Sequence, residues 1–230
     1  MKIKLLLLGV LILILASCGS SQRVGKTGAA KSARQLVTLS DEQQRKYDYF
    51  FLEATRLKGK KEYDAFDLLK HCLTINPQAA SALYEISQYY MFLKQVPQGQ
   101  AALEEAVESA PDNYWYSQAL ASLYQQQNEK EKAIGLLETM ATRFPGKRES
   151  LFALLDLYNQ QEDYGKVIGT LDRLEEIMGK NEQLTMEKFR IYLQMKDDKS
   201  AFREIENLVK EYPMDMRYQV ILGDVYMQNG

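Results

Sequence analysis

Few residues of this sequence have the types and spacing that catalysis needs. His71 is the only histidine, so the second histidine of a helical zinc-protease motif is missing. Gly25-Lys26-Thr27 ends like a phosphate-binding loop, but Ser20 stands where that loop needs glycine. Glu104-Glu105 and Glu175-Glu176 have bases nearby on predicted helices, which favours solvated helix surfaces over acid/base catalysis. We therefore expect a protein that is not an enzyme and that has no metal and no cofactor.

Cys18 is the residue with the clearest predicted chemistry. Lys2 and Lys4 precede an apolar run over residues 5–16, an order typical of a targeting signal. Only 13 uncharged residues separate Lys4 from Cys18, fewer than the roughly 20 that a membrane-spanning helix needs. An uncleaved transmembrane anchor is therefore the weaker alternative.

The residues around Cys18 also resemble a known processing site. Leu15-Ala16-Ser17-Cys18 is similar to the lipobox of bacterial lipoproteins, and an ordinary secretory signal with an incidental Cys18 is the alternative. The resemblance implies that residues 1–17 are removed and that lipidated Cys18 becomes the N-terminus. Residues 18–39 are small, polar and basic and predict a flexible tether. Gly19 is not the aspartate that retains some lipoproteins at the inner membrane, so we expect a lipid anchor in the outer membrane.

The cysteine and charge content argue against a disulfide-rich protein and against a nucleic-acid-binding protein. Cys72 is the only other cysteine, so we expect no disulfide framework and a small side chain packed in a helix. Residues 1–40 hold six bases and no acid, which leaves 23 bases against 31 acids in the remainder. An acidic body of this kind repels phosphates, and we expect no nucleic-acid partner.

A fixed period organises the chain after residue 40. Ser40-Asp41-Glu42-Gln43 is a capping box that predicts the start of a helix. From there, large and small residues recur every 34 residues, which indicates a repeat protein. Turns within the repeats are predicted near residues 58–61, 95–97, 127–131, 161–164 and 196–198. The recurring residues are Pro77, Pro111, Pro145, Gly179 and Pro213; Tyr90, Tyr124, Tyr158, Tyr192 and Tyr226; Ala65, Gly99, Ala133, Val167 and Ala201; and Leu69, Leu103, Leu137, Leu171 and Ile205.

This pattern resembles the tetratricopeptide repeat (TPR) family over about residues 44–230. The family's leucine, small, aromatic, alanine and alanine positions are matched by Ile86 and Leu120, Ser87 and Ala121, Tyr90 and Tyr124, Gly99 and Ala133, and Ala106 and Met140. The resemblance implies an all-α, right-handed α-solenoid of about five and a half repeats over residues 40–230. Arg56 and Leu57 depart from the pattern and predict an irregular first turn. Lys188 and Phe189 depart from it in the fifth repeat and predict a less regular interface there.

The resemblance also implies where a partner binds. The family lines its concave surface with side chains of the first helix of each repeat, and aromatic and amide groups suit a peptide or a partner helix. Packing between repeats is the alternative for Phe92 and Phe152. The corresponding residues are Tyr84, Gln88, Met91 and Phe92; Trp115, Gln118, Ser122, Gln125 and Gln126; Phe152, Asp156, Asn159 and Gln160; and Met186, Arg190, Leu193 and Gln194.

These observations favour a membrane-tethered scaffold that binds a protein or peptide in the bacterial periplasm or outer membrane, with a role in envelope assembly. We expect no small-molecule substrate. The alternative is the N-terminal interaction region of a larger, truncated envelope enzyme. Residues 216–228 read as the first helix of a sixth repeat without its second helix. We therefore expect that the sequence is truncated or that a partner covers this apolar face.

Overall fold

The computed structural model describes residues 37–229, and the side chains of residues 37–227. The predicted signal peptide, Cys18 and residues 18–36 of the predicted tether lie outside this part of the chain. Residues 37–40 precede the first helix.

The described residues form helices and no strands, which confirms the predicted all-α class. Helices with odd numbers below are the first helices of their repeats, and helices with even numbers are the second helices. The helices are α1 (Asp41–Leu57), α2 (Glu62–Ile75), α3 (Ala80–Phe92), α4 (Val96–Ser109), α5 (Tyr114–Gln126), α6 (Lys130–Arg143), α7 (Glu149–Gln160), α8 (Tyr164–Met178), α9 (Glu182–Gln194), α10 (Asp198–Glu211) and α11 (Met216–Asn229).

Packing along the chain is local. Each helix makes its main contacts with the helix before it and the helix after it, from α1 to α11. Such nearest-neighbour packing is the arrangement of a solenoid, in which each repeat covers the apolar face of the next. The recurring small positions, for example Ala65 and Ala133, are fully buried, as are the aliphatic positions such as Leu137 and Ile205. These residues form the predicted core face of each second helix.

The first helix begins as the capping box predicts. Ser40 Oγ accepts a hydrogen bond from the Gln43 amide at 3.3 Å, and Gln43 Oε1 accepts from the Ser40 amide at 2.9 Å. Two amides that would lack a helical partner are thereby paired.

The turns within the repeats share one backbone conformation. Four of them have three residues, and the middle residue is left-handed with φ between 55° and 60°: Lys94, Asn128, Glu162 and Lys196. The residue after it donates to the carbonyl of the recurring tyrosine, as Glu129 does to Tyr124 at 2.8 Å. This pattern closes the C-terminal end of each first helix.

Two turns differ from expectation or from the repeat. The first turn has four residues, Lys58–Lys61, with Gly59 at φ 79°, so the predicted irregularity is present. The second turn lies two residues earlier than predicted, because Pro97 falls inside the first turn of α4. Proline is tolerated there since its missing amide would have no helical acceptor.

The interface between α8 and α9 contains a buried ion cluster. Lys188 is only 5% exposed, and its Nζ lies 2.6 Å from Glu175 and 2.5 Å from Asp172 on α8. Burial opposes its charge, but hydrogen bonds to the two carboxylates outweigh burial, and the pKa of Lys188 is raised. The departure from leucine at this position thus replaces an apolar contact by a paired charge.

The last helix is less covered than the others. Val220, Tyr226 and Met227 of α11 are exposed, and Tyr226 is 55% exposed where Tyr124 and Tyr158 are buried. Within the described residues, no helix combines the length and apolar character required to cross a membrane.

Candidate functional site

A cleft of about 520 Å³ opens between first helices of adjacent repeats, α3 and α5. Four of the residues expected to contact a partner line it: Tyr84, Gln88 and Met91 from α3, and Gln126 from α5. We call this the neutral cleft, since none of the described residues that line it is Asp, Glu, Lys, Arg or His. Its lining is completed by Val96, Leu103, Ala119, Leu123 and Gln127.

The α3 wall follows from helical spacing. Tyr84, Gln88 and Met91 are four and three residues apart, so they share one face of α3. The Tyr84 ring stacks on Tyr116 of α5, with 4.8 Å between ring centroids and 25° between planes. This stack joins the two walls of the neutral cleft at one end and restricts the Tyr84 rotamer.

The α5 wall was missed by sequence reasoning, apart from Gln126. Ala119 and Leu123 of α5 and Gln127, the first residue after this helix, are spaced four residues apart and form a continuous strip. The TPR resemblance implied a different strip of α5, the one that contains Trp115, Gln118 and Ser122. The residues of the α5 wall could have been found from the stacking of repeats, because each first helix lies between two neighbours and can border a groove on both sides.

The floor depends on a close approach of α4 to α3 at Gly99. A Cβ placed on Gly99 would lie 2.8 Å from Met91 Cε and 3.1 Å from the Ser87 carbonyl oxygen. Because glycine has no Cβ, the Met91 side chain can lie over α4 and line the neutral cleft. Gly99 therefore shapes the cleft although it does not line it.

The amides of the neutral cleft are incompletely paired. Gln88 and Gln126 are exposed at its rim. The Gln127 side-chain nitrogen is buried, and no acceptor in the described part of the chain bonds to it. A buried amide nitrogen without an acceptor is costly. Because Gln127 lines the neutral cleft, a rotation of its side-chain amide would let this nitrogen donate to a ligand oxygen.

Met186 and Arg190 of α9 line a second cleft, of about 370 Å³, between α9 and α11. It also contains Glu182, Glu187 and Arg217, and we call it the charged cleft. Its ions are paired across and along the helices: Arg217 lies 3.2 Å from Glu182, and Arg190 lies 3.3 Å from Glu187.

Phe92 lies apart from both clefts. It is 73% exposed and borders a depression of about 180 Å³ with Lys58 and Glu62 of the first turn and α2. Gln88 lines both this depression and the neutral cleft. Packing between repeats, the alternative for Phe92, is not what the structure shows.

Trp115 lies at the N-terminal end of α5, outside the lining of the neutral cleft, and is 68% exposed. The Asn113 side chain caps this helix by accepting from the Trp115 amide at 3.0 Å. Lys147 lies over the neighbouring Tyr114 ring at 5.2 Å and over Trp115 at 5.9 Å. The exposed indole beside this cation therefore forms a surface feature separate from the neutral cleft.

The remaining expected residues are spread along α5, α7 and α9 and line neither cleft. Gln118, Ser122 and Asn159 are half-buried, and Gln118 Oε1 accepts a hydrogen bond from the Tyr114 hydroxyl at 3.0 Å. The exposed members are Gln125, Phe152, Asp156, Gln160, Leu193 and Gln194. The structure therefore divides the expected groove into two clefts and single exposed side chains.

Comparison with solved structures identifies the fold. A tetratricopeptide repeat protein from Parabacteroides merdae superposes with a TM-score of 0.53 at 19% identity, covering 80% of this chain and 73% of that chain. MamA protein superposes with a TM-score of 0.53 at 15% identity, covering 76% of this chain and 96% of that chain. The described chain has the tetratricopeptide-repeat fold. The TPR protein YrrB superposes with a TM-score of 0.52 at 13% identity, covering 78% of this chain and 94% of that chain. No family model and no curated protein matches the sequence.

The TPR helices are also joined by polar contacts that sequence reasoning missed. Tyr124 and Tyr158 donate hydrogen bonds to Glu104 and Glu138, respectively, each 20 residues earlier on the preceding second helix. Lysines lie over both rings, Lys132 at 5.3 Å from Tyr124 and Lys166 at 5.1 Å from Tyr158. We call each tyrosine with its acid and lysine a tyrosine clamp. The signal was available, since Glu104 and Glu138 are themselves 34 residues apart.

Cys72 and His71 of the TPR helix α2 behave as packing and surface residues. Cys72 is fully buried, and burial raises the pKa of its thiol to about 11. The burial of this side chain confirms the predicted packing role, and a neutral thiol is also a poor nucleophile. His71 is exposed, and its ring stacks on Phe50 at 5.5 Å. Among the described residues, no group of three His, Cys, Asp or Glu is placed to hold a metal ion.

Proposed function

We propose that this chain is a membrane-tethered scaffold that binds a protein partner through its first helices, with the neutral cleft as the principal contact. The observation that carries the proposal is the neutral cleft itself. It combines an apolar floor with amides at its rim and has a volume of about 520 Å³. Ligand sites in proteins are commonly apolar clefts of roughly 300–1,000 Å³ with a few polar groups that fix orientation.

The fold supports the same proposal. A solenoid offers extended surfaces along its helices, which suits recognition of a peptide segment or a helix. YrrB is described as a TPR protein with an unusual peptide-binding site. A structure described as Naa15/Naa10 bound to HypK-THB also superposes, with a TM-score of 0.59 at 18% identity, over 81% of this chain and 30% of that chain.

Binding, not catalysis, is the proposed activity. Acid/base and nucleophilic mechanisms need convergent titratable groups with matched pKa values. The neutral cleft offers glutamine amides, a phenol and apolar side chains. The charged cleft has its charges neutralised in ion pairs at 3.2 and 3.3 Å.

The cellular setting rests on the N-terminal pattern. We propose that Cys18 carries a lipid in the outer membrane and that residues 18–39 hold the repeats clear of the headgroups, with envelope assembly as the process served. The basic residues of that segment would also be attracted to an anionic leaflet, by about 1 kcal/mol each. Twenty flexible residues span on the order of 25 Å.

Pull-down from a native envelope extract tests partner binding. Replacing Tyr84 and Met91 together by alanine removes the aromatic and sulfur contacts of one wall of the neutral cleft. We expect the binding free energy to fall by about 2 kcal/mol, roughly thirtyfold in affinity, while the helical circular dichroism signal is retained. Glu131→Ala, an exposed change on α6, is the matched control and should capture normally. If Glu131→Ala abolished capture while the double variant kept every partner, the binding face would be the second helices.

Cell fractionation with Cys18→Ala tests the tether. Acyl chains contribute about 0.8 kcal/mol per buried methylene, so their loss should release the protein into the soluble fraction. Mass spectrometry of the wild-type N-terminus should show a lipid on Cys18. Unmodified Cys18 in a protein that still sediments with membranes would instead indicate an uncleaved anchor.

A further inference from the structure

We infer that the neutral cleft selects an internal, uncharged, extended peptide segment that inserts one large apolar side chain between α3 and α5. This inference rests on the proposed function and specifies the chemistry of its ligand. Three properties of the neutral cleft carry it: its charge, the shape of its floor, and its amide groups.

Charge is the first property. None of the described residues that line the neutral cleft is Asp, Glu, Lys, Arg or His. Moving a charged side chain or a terminal carboxylate from water into this cleft would forfeit hydration without providing a counter-ion. The ligand segment is therefore uncharged and lies away from the ends of its chain.

The floor is the second property. Met91, Val96, Leu103 and Leu123 form an apolar surface, on which an aliphatic or aromatic side chain gains burial free energy. An extended segment places alternate side chains on opposite sides. One side chain then enters the floor, while its neighbours stay at the rim.

The amides are the third property. An extended segment has free backbone donors and acceptors, and a primary amide provides both kinds of group. Gln88 and Gln126 are exposed at the rim, and the buried Gln127 nitrogen has no acceptor among the described residues. A ligand carbonyl on the Gln127 nitrogen satisfies both groups, so a peptide backbone fits better than a hydrocarbon chain.

The charged cleft gives an internal comparison. It is lined by Glu182, Glu187, Arg190 and Arg217, so the same fold places ionised side chains at a different pair of first helices. Selectivity for an uncharged segment is therefore a local property of α3 and α5 and not of the solenoid as a whole.

Selection from a random dodecapeptide library displayed on phage tests the inference. Peptides fused through their C-terminal ends present internal segments without a free carboxylate. The full chain is used as bait. We expect enriched peptides to share one large apolar residue in an uncharged core. The best sequence is then synthesised with acetylated and amidated ends, and its affinity is measured against variants of α5.

Gln126 and Gln125 provide a matched pair of positions. Both are exposed on α5, but only Gln126 lines the neutral cleft. Gln126→Glu and Gln126→Lys should each lower the affinity for the synthetic peptide at least tenfold, because either charge must be desolvated when the peptide binds. Gln125→Glu and Gln125→Lys should stay within twofold of wild type.

Three outcomes would overturn the inference. If one charge at Gln126 weakened binding and the other strengthened it, the cleft would select a charged ligand. If the Gln126 variants bound like the Gln125 variants, the peptide would bind elsewhere on the chain. The scaffold function would then stand, but the neutral cleft would not be its principal contact. If wild-type protein enriched no peptide while the native pull-down still captured a partner, the ligand would be a folded surface. Failure of both selection and pull-down would contradict the proposed function as well.

Discussion

The Tyr124 hydroxyl donates a 2.9 Å hydrogen bond to Oε1 of Glu104, a residue of the preceding repeat. Tyr158 and Glu138 repeat this contact at the same distance one period later. Both tyrosine rings are buried, and the acids are held by further donors, Gln100 on Glu104 at 2.9 Å and Arg173 on Glu138 at 2.8 Å. The tyrosine clamps therefore couple the repeats through polar contacts as well as through apolar packing.

Removal of one clamp hydroxyl should lower stability measurably. Tyr124→Phe keeps the ring but deletes the donor to Glu104, and hydrogen bonds to charged groups contribute about 1.5–3 kcal/mol when buried. We expect a loss of about 1–2 kcal/mol in urea unfolding, since Glu104 keeps its bond to Gln100. Tyr226→Phe, at the same place in the repeat but 55% exposed, should cost less than about 0.5 kcal/mol. Equal losses would mean that the hydroxyl bond is unimportant.

High pH should destabilise the protein through the second clamp. Burial and the hydrogen bond to Glu138 raise the pKa of Tyr158 to about 12. A raised pKa in the folded state means that this stability is fully present below pH 10, the ordinary tyrosine value, and is lost as pH rises from about 10 to 12. Urea unfolding at several pH values should show a steeper decline for wild type than for Tyr158→Phe. If the free energy of unfolding fell equally with pH in the two proteins, Tyr158 would not be the source of the pH dependence.

Replacing a left-handed turn residue by glycine should stabilise the folded protein. Glu162 has φ 55° at the end of α7, and this conformation costs a residue with a Cβ about 1–2 kcal/mol. Glu162→Gly should stabilise by about 0.5 kcal/mol after the entropic cost of glycine is subtracted. Gln161→Gly, next to it with φ −92°, should destabilise. Thermal melts of both variants check this, and a fall in melting temperature for Glu162→Gly would contradict it.

Gly99→Ala should gain less stability than alanine usually provides in a helix. Gly135→Ala on α6 is the control, because no atom lies within 4 Å of the added Cβ, and it should stabilise by about 1 kcal/mol. At Gly99 the Cβ meets Met91 and the Ser87 carbonyl oxygen, so most of that gain should be lost. The displaced Met91 should also narrow the neutral cleft and weaken peptide binding. Equal gains in urea unfolding would show that Met91 moves without cost.

The repeat period predicted the fold in most of its detail. Proline, tyrosine, small and aliphatic positions 34 residues apart specify which helix faces pack, because packing in a solenoid is local and each repeat faces the same environment. The irregular first turn was also visible from the displaced residues Arg56 and Leu57. The position of the second turn was missed, since proline near the start of a helix and proline in a turn give the same local signal.

The candidate site was predictable only in part. Tyr84, Gln88 and Gln126 were found because a period fixes which helix face recurs, but the depth of a cleft depends on the distance between neighbouring helices. That distance is set here by Gly99, Met91 and the Tyr84–Tyr116 stack. The buried pairing of Lys188 with two carboxylates was hidden for the same reason, since its partners lie on another helix.

Site-specific photo-crosslinking in living cells tests directly whether a partner binds in the neutral cleft. A benzophenone amino acid is placed at Gln88 or at Gln126 in the neutral cleft, and at Glu131, which is exposed on α6, for comparison. We expect a crosslinked partner at both cleft positions, lost when Met91→Arg is added, and none at Glu131. Adducts that form at Glu131 and at neither cleft position would contradict binding through the first helices.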